Sequence, residues 1–199
     1  MKLLTLTCHG LAVALGVLCL PLVAAAQAPG ATAPQISARD VGDKLVEAII
    51  LVESQGDAHR VGSQGERGLM QIRLPTWRET SREVFGRPQP FLKAFDPAVN
   101  RRVGRAYLAR LQTQIAQHRA DWQSDERSLL IAAYNGGPTL LCLKKFDLRQ
   151  MPASTRDYVE RVTNLHDAMI AELTRAAQQR QAAVQLTQRA ALDTRIARL

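Results

Sequence analysis

Apolar positions recur along the chain at intervals of three and four, in blocks separated by glycine, proline and capping residues. Val41, Leu45, Ala48, Ile49 and Val52 predict a first helix opening at Ser37, with Asp40 in its first turn and Glu53 in its last. Pro75 opens a shorter one, "PTWRETSREVF", that stops before Gly86 and the loop "GRPQP". Asp96-Pro97 pairs a cap with proline at the first helical position, and Val99, Val103, Tyr107, Leu111 and Ile115 continue it as a long helix. Ser124 caps the next, which carries Leu129, Leu130 and Ala133 and ends at Asn135-Gly136. A last helix begins near Ser154 or Thr155 and carries Val159, Val162, Leu165, Met169 and Leu173. Only residues 57–66, punctuated by glycine, read as an irregular or hairpin segment, so the expected fold is mainly α.

The two ends break this pattern. Met1-Lys2 gives a basic start, an apolar run follows from Leu11 to Val23, and "AAAQAPG" puts small residues before a cut after Ala26. Residues 1–26 thus read as a secretory signal peptide and 27–36, "QAPGATAPQI", as a flexible lead-in. The apolar run is too short for a membrane span, and Cys19 follows Leu18 where a lipid-modified cysteine would follow a small residue. The expectation is an exported, periplasmic protein with no stable membrane anchor and one domain over 37–170. From 171 to 199 the composition turns to Ala, Gln and Arg without Gly or Pro. That stretch reads as a helical or partly disordered tail, mostly solvated, with docking to an envelope-complex protein as its alternative role.

Charge narrows the partners. The formal net charge of +8 falls to +7 without residues 1–26. The basic residues are spread out and not interleaved with aromatics, which argues against nucleic acid and for an anionic polymer or membrane surface. Cys142 is the only cysteine beyond the signal segment, so no intramolecular disulfide is expected and the thiol reads as buried and apolar. His59, His118 and Cys142 have no recognised metal spacing, no "HExxH" occurs, and Ser54, Asp57 and His59 lack a nucleophile-elbow context. No metal or cofactor is expected.

The remaining chemistry centres on Glu53. A carboxyl at a helix C-terminus meets unpaired carbonyls, which raise its pKa, and desolvation in a cleft acts in the same direction. An acid that stays protonated near neutrality can protonate a leaving oxygen. Taken alone, Glu53 reads better as a surface residue ending an amphipathic helix, and the downstream context changes that balance. Downstream, Gly62, Gly65 and Gly68 permit tight backbone paths, Met70 and Gln71 offer an adaptable apolar surface and an amide suited to acetamido groups, and Tyr134-Asn135 repeats that chemistry at a helix end.

In this order "ES" (53–54), "GERGLMQI" (65–72), "AAYNGGP" (132–138) and "DYVERV" (157–162) make roughly residues 40–170 resemble the soluble lytic transglycosylase family of the lysozyme-like superfamily. The resemblance implies a lysozyme-like domain that binds peptidoglycan glycan strands. It implies cleavage of the β-1,4 bond between N-acetylmuramic acid and N-acetylglucosamine, leaving 1,6-anhydromuramoyl ends. Glu53 takes the place of the catalytic acid. Gln71, Tyr134, Asn135 and Tyr158 take places that line or support the groove. The family usually has serine at the position of Gly62, so Ser63 is the nearest candidate to hold the N-acetyl group. One extra residue precedes Pro75, which makes Leu74 the candidate floor of the cleft, and Ser154 stands where a glutamate is frequent. Glu66 stands where alanine is common. It reads as a solvated loop charge, and as a second carboxylate it would instead make the protein a hydrolytic muramidase. A non-catalytic wall-binding or assembly subunit is a further alternative. Both general wall turnover and a local opening for an envelope apparatus fit.

Overall fold

A computed structural model describes residues 36–198. The signal segment, its cut after Ala26 and residues 27–35 lie outside them. The described residues hold six α-helices: α1 (Ala38–Ser54), α2 (Leu74–Phe85), α3 (Pro97–Ala116), α4 (Glu126–Gly136), α5 (Pro138–Leu143) and α6 (Ala153–Ile196). They contain no strand, only isolated bridges from Val61 to Arg67 and from Arg67 to Ile72. None of their helices is long and apolar enough to cross a membrane.

Local chemistry sets most boundaries. Ser37 and Asp40 form a reciprocal capping box on α1, and Gln55 closes the helix in the left-handed region at φ 56°. Asp96 accepts from the Ala98 and Val99 amides to start α3. At α4 the cap is Asp125, one residue beyond the expected Ser124. The Ser124 hydroxyl instead accepts from the Leu148 amide at 3.0 Å. The left-handed position after α4 is Gly137 at φ 87°, not Asn135 or Gly136, and Pro138 starts α5 directly behind it. Cys142 is exposed, contrary to expectation. Helix α5 buries Leu141, and the neighbouring position turns outward.

Helix α4 is the centre of the core, with Leu129, Ile131, Ala132 and Ala133 fully buried. It packs against α3, α5 and α6, while α6 also packs along α1 and α2 pairs with α3. Where α1, α4 and α6 meet, the buried His166 lies with Nδ1 3.1 Å from Arg127 Nη1 and Nε2 3.0 Å from the Val41 carbonyl. Arginine can only donate, so Nδ1 is the acceptor and Nε2 carries the proton. Helix α6 continues unbroken past residue 170 to Ile196, so the tail is helical, and its Val184, Leu186, Leu192 and Ile196 are exposed.

The loop between α1 and α2 is fixed by one buried side chain. Asn100 of α3 accepts from the Met70 amide at 2.9 Å and donates to the carbonyls of Ala94 at 2.7 Å and Arg67 at 3.1 Å. Gly68 passes so close that a Cβ there would lie 2.0 Å from the Ala94 carbonyl oxygen, and its φ of +77° also favours glycine. Met70 is wholly buried with its sulfur over Gly104, where a Cβ would lie 2.0 Å away. Replacing Asn100 by Leu strands one amide and two carbonyls in the core. We expect a loss of about 2–4 kcal/mol in urea unfolding; a loss below about 1 kcal/mol would show that the loop is held by other contacts.

Candidate active site

The loop and the ends of α1 and α4 enclose a cleft of about 490 Å³ lined by Glu53, Ser63, Glu66, Gln71, Tyr134 and Asn135, among others. Glu53 occupies the last turn of α1, as the periodicity predicted. The next residue, Ser54, is buried with its hydroxyl 2.8 Å from the Leu69 carbonyl, which ties the helix end to the loop.

Glu53 itself is half-buried and accepts a hydrogen bond on Oε1 from the Tyr158 hydroxyl at 2.7 Å. Burial pushes its carboxyl up from 4.5 to about 7; the Tyr158 bond opposes this, the Glu66 charge adds to it, and Arg161 and Arg60 oppose it. Desolvation is therefore the leading cause. With Oε1 engaged as an acceptor, the proton of the neutral acid resides on Oε2. Burial, and after it the Glu53 charge, pushes the phenols of Tyr134 and Tyr158 well above the ordinary tyrosine range, so both remain neutral donors.

The other anticipated residues separate into groups. Tyr158 is buried behind Glu53 and supports it from α6. Tyr134 reaches across to donate to the Met70 carbonyl at 2.7 Å, and its ring tilts against that of Tyr107, centroids 5.5 Å apart. Gln71, at φ 44°, donates from Nε2 to the carbonyls of Gly68 at 2.9 Å and Arg60 at 3.1 Å. Both amide protons are spent, so of the amide's donor and acceptor Gln71 offers the cleft only its Oε1 as an acceptor. Ser63 lines the cleft, and Asn135 is exposed at its edge.

Three expectations are corrected. Met70 does not line the cleft, because its side chain fills the space over Gly104. Leu74 is 44% exposed at the start of α2 and outside the cleft, and Ile72 lines it instead. Glu66 is no solvated loop charge: its side chain is 16% exposed and faces the cleft, with Oε1 3.1 Å from Arg73 Nε. Tyr107, Arg60, Arg73 and Thr76 also line the cleft and were not anticipated. Tyr107 fell on the apolar stripe of α3, which gave it the appearance of a core residue.

The transglycosylase SLT domain model matches residues 34–146 of the chain. The protein belongs to this family. The match stops before α6, so Tyr158 is supplied from outside it. Among solved structures, lytic transglycosylase Slt from Pseudomonas aeruginosa, determined as an inactive Glu-to-Gln mutant, is 27% identical with a TM-score of 0.56 over 68% of this chain and 23% of its own. The 70 kDa soluble lytic transglycosylase of Escherichia coli is 25% identical with a TM-score of 0.50 over 67% of this chain and 24% of its own. The fold is of this lysozyme-like, helical class. The chain spans about a quarter of the length of those two enzymes. A search of curated protein sequences finds no match.

The raised acid has a thermodynamic signature. The unfolded SLT chain ionises Glu53 near 4.5, whereas the folded protein keeps the proton to about 7. Its stabilising contribution is complete below pH 4.5 and is lost as pH rises through about 7. The stability of a Glu53→Gln variant relative to wild type should therefore increase across this window and level off above it, by up to about 3 kcal/mol. Urea unfolding at a series of pH values measures this, and a difference independent of pH would mean that Glu53 titrates normally.

Proposed function

We propose that the protein is an exported peptidoglycan lytic transglycosylase in which Glu53 serves as both acid and base. The observation that carries this reading is a cleft carboxyl with a pKa of about 7, bonded on one oxygen by Tyr158, in a member of the SLT family. Glu53 Oε2 first gives its proton to the bridging oxygen of the bond between N-acetylmuramic acid and N-acetylglucosamine. The muramoyl acetamido group stabilises C1 as that bond breaks. The resulting carboxylate then accepts the proton of the muramoyl 6-hydroxyl as its oxygen attacks C1. This attack is intramolecular and gains the high effective concentration of tethered reactants. Ser63, Gln71, Tyr134 and Asn135 hold the sugar, with Gln71 accepting from its donors.

The substitution Glu53→Gln should keep the fold and abolish turnover, since an amide cannot serve as the acid. Wild-type digestion of purified peptidoglycan in oxygen-18 water should give 1,6-anhydromuramoyl ends with no solvent oxygen at C1. Mass spectrometry of the products reads this directly. Predominantly labelled reducing ends would identify a hydrolytic muramidase, the reading that the second carboxylate in the cleft, Glu66, favours.

In this reading the chain works in the periplasm after cleavage following Ala26, on glycan strands and without a cofactor. The outer part of α6 gives it a docking element: exposed Val184, Leu186, Leu192 and Ile196 accompany Arg175, Arg180, Arg189 and Arg195. A component of an envelope-spanning apparatus is the partner that this helix suits, placing wall opening where that apparatus crosses. The buried positions of α6 end at His166. Deleting residues 175–199 should therefore leave lysis of isolated peptidoglycan within about twofold of wild type, as expected for surface changes. Loss of folding or of lysis in vitro would make the segment part of the domain.

A further inference from the structure

Gly62 is the one glycine of the cleft wall whose replacement is opposed by a side chain of the cleft itself. Its φ lies outside the left-handed region, so backbone conformation does not require glycine. Space does: a Cβ at this position would lie 2.4 Å from Glu66 Oε2 and 2.7 Å from Gln71 Oε1. The turn is closed by Gly62 N donating to the Glu66 carbonyl at 2.8 Å and Gly65 N donating to the Gly62 carbonyl at 3.0 Å. Residue 62 and the Glu66 carboxylate thus compete for the same volume.

The Glu66 carboxylate is held in that volume. Oε1 accepts from Arg73 Nε at 3.1 Å and Oε2 from the Gln64 amide at 2.9 Å. Burial raises its pKa, but its own and the Gln64 backbone amides and the Arg73 guanidinium outweigh that and leave it below the ordinary range. An ionised carboxylate has about four lone-pair sites. Arg73 and Gln64 use one on each oxygen, so acceptor capacity remains beside Glu53. These two donors, together with its own backbone amide, lower its basicity, which makes it a poor base for activating water and a good fixed acceptor.

We propose that Glu66, seated in the room that Gly62 leaves open, is a substrate-binding residue whose carboxylate accepts hydrogen bonds from amide N–H or hydroxyl donors of the sugar bound beside Glu53. This rests on the reading of the cleft as a glycan site. Glu66 and Gln71 Oε1 then form an acceptor wall on the loop side of the cleft, which Tyr134 and Asn135 line from the end of α4.

The test uses the full chain carrying Glu53→Gln, so that binding is measured without turnover, and soluble uncross-linked glycan strands as the probe. Calorimetry should show that adding Glu66→Ala weakens binding about tenfold, the effect of losing a hydrogen bond to a charged group. Gly62→Ala should weaken it similarly by displacing the carboxylate. Combining the two should cost less than the product of the separate losses, because Glu66→Ala removes the nearer obstacle to the new methyl group. Glu66→Gln, which keeps the shape and an acceptor oxygen, should recover part of the binding and guards against a folding defect. Unchanged binding in Glu66→Ala, or losses that multiply in the double variant, would overturn the proposal. So would a Glu66→Gln protein with native Glu53 that binds normally and loses all turnover, since Glu66 would then be moving a proton. Absence of any glycan binding by the Glu53→Gln parent would instead refute the reading of the cleft.

Discussion

The site depends first on a buried amide that is not itself part of the cleft wall. Asn100 holds the Met70 amide and the carbonyls of Arg67 and Ala94, and these three bonds give an irregular loop a fixed path across α3. Buried backbone groups that cannot join a ladder must find partners elsewhere, and here one side chain satisfies three of them. From that path the rest follows. The Leu69 carbonyl receives Ser54 and sets the end of α1, the Met70 carbonyl receives Tyr134 from α4, and Gln71 is turned toward the cleft. Gly68 is needed because the loop, once fixed, passes too close to the Ala94 carbonyl for a side chain, whereas Gly62 leaves room for the Glu66 carboxylate.

Two carboxyl groups in this cleft are driven in opposite directions by their surroundings. Glu53 has one hydrogen-bond donor and much desolvation, so it keeps its proton to about 7. Glu66 has a guanidinium and backbone amides and remains ionised. The negative charge of Glu66 in turn raises Glu53, so the pair maintains its own asymmetry. Environments that separate the pKa values of neighbouring acids assign them different roles. Here the neutral one is suited to donating a proton, and the ionised one, with its lone pairs partly engaged, is suited to holding a substrate.

Helix α6 connects this chemistry to the fold as a whole. Tyr158 and His166 lie on the helix eight residues apart, the first bonded to Glu53 in the last turn of α1 and the second to the Val41 carbonyl in its first. The same helix therefore holds both ends of α1, and the orientation of the acid depends on residues more than a hundred positions later in the chain. The family match covers α1 to α5 and not this helix.

The sequence by itself determined what local chemistry controls. Ser37 with Asp40 and Asp96 with Pro97 place α1 and α3 because cap and first turn are neighbours in sequence, and the same periodicity puts Glu53 at a helix end. The family motifs, being ordered along the chain, were legible without a structure. Local signals failed where two residues could play one role or an element was too short for a period. Ser124 and Asp125 are both competent caps, and the distant Leu148 amide decides between them; the six-residue α5 has no resolvable stripe. Only tertiary structure decided which way side chains face and what desolvates them. It turned Met70 into the core, Cys142 outward and Glu66 into the cleft, used up the amide protons of Gln71, and brought Tyr158 to Glu53. Burial and charge are sums over neighbours that folding brings together from the whole chain, so no window of sequence contains them.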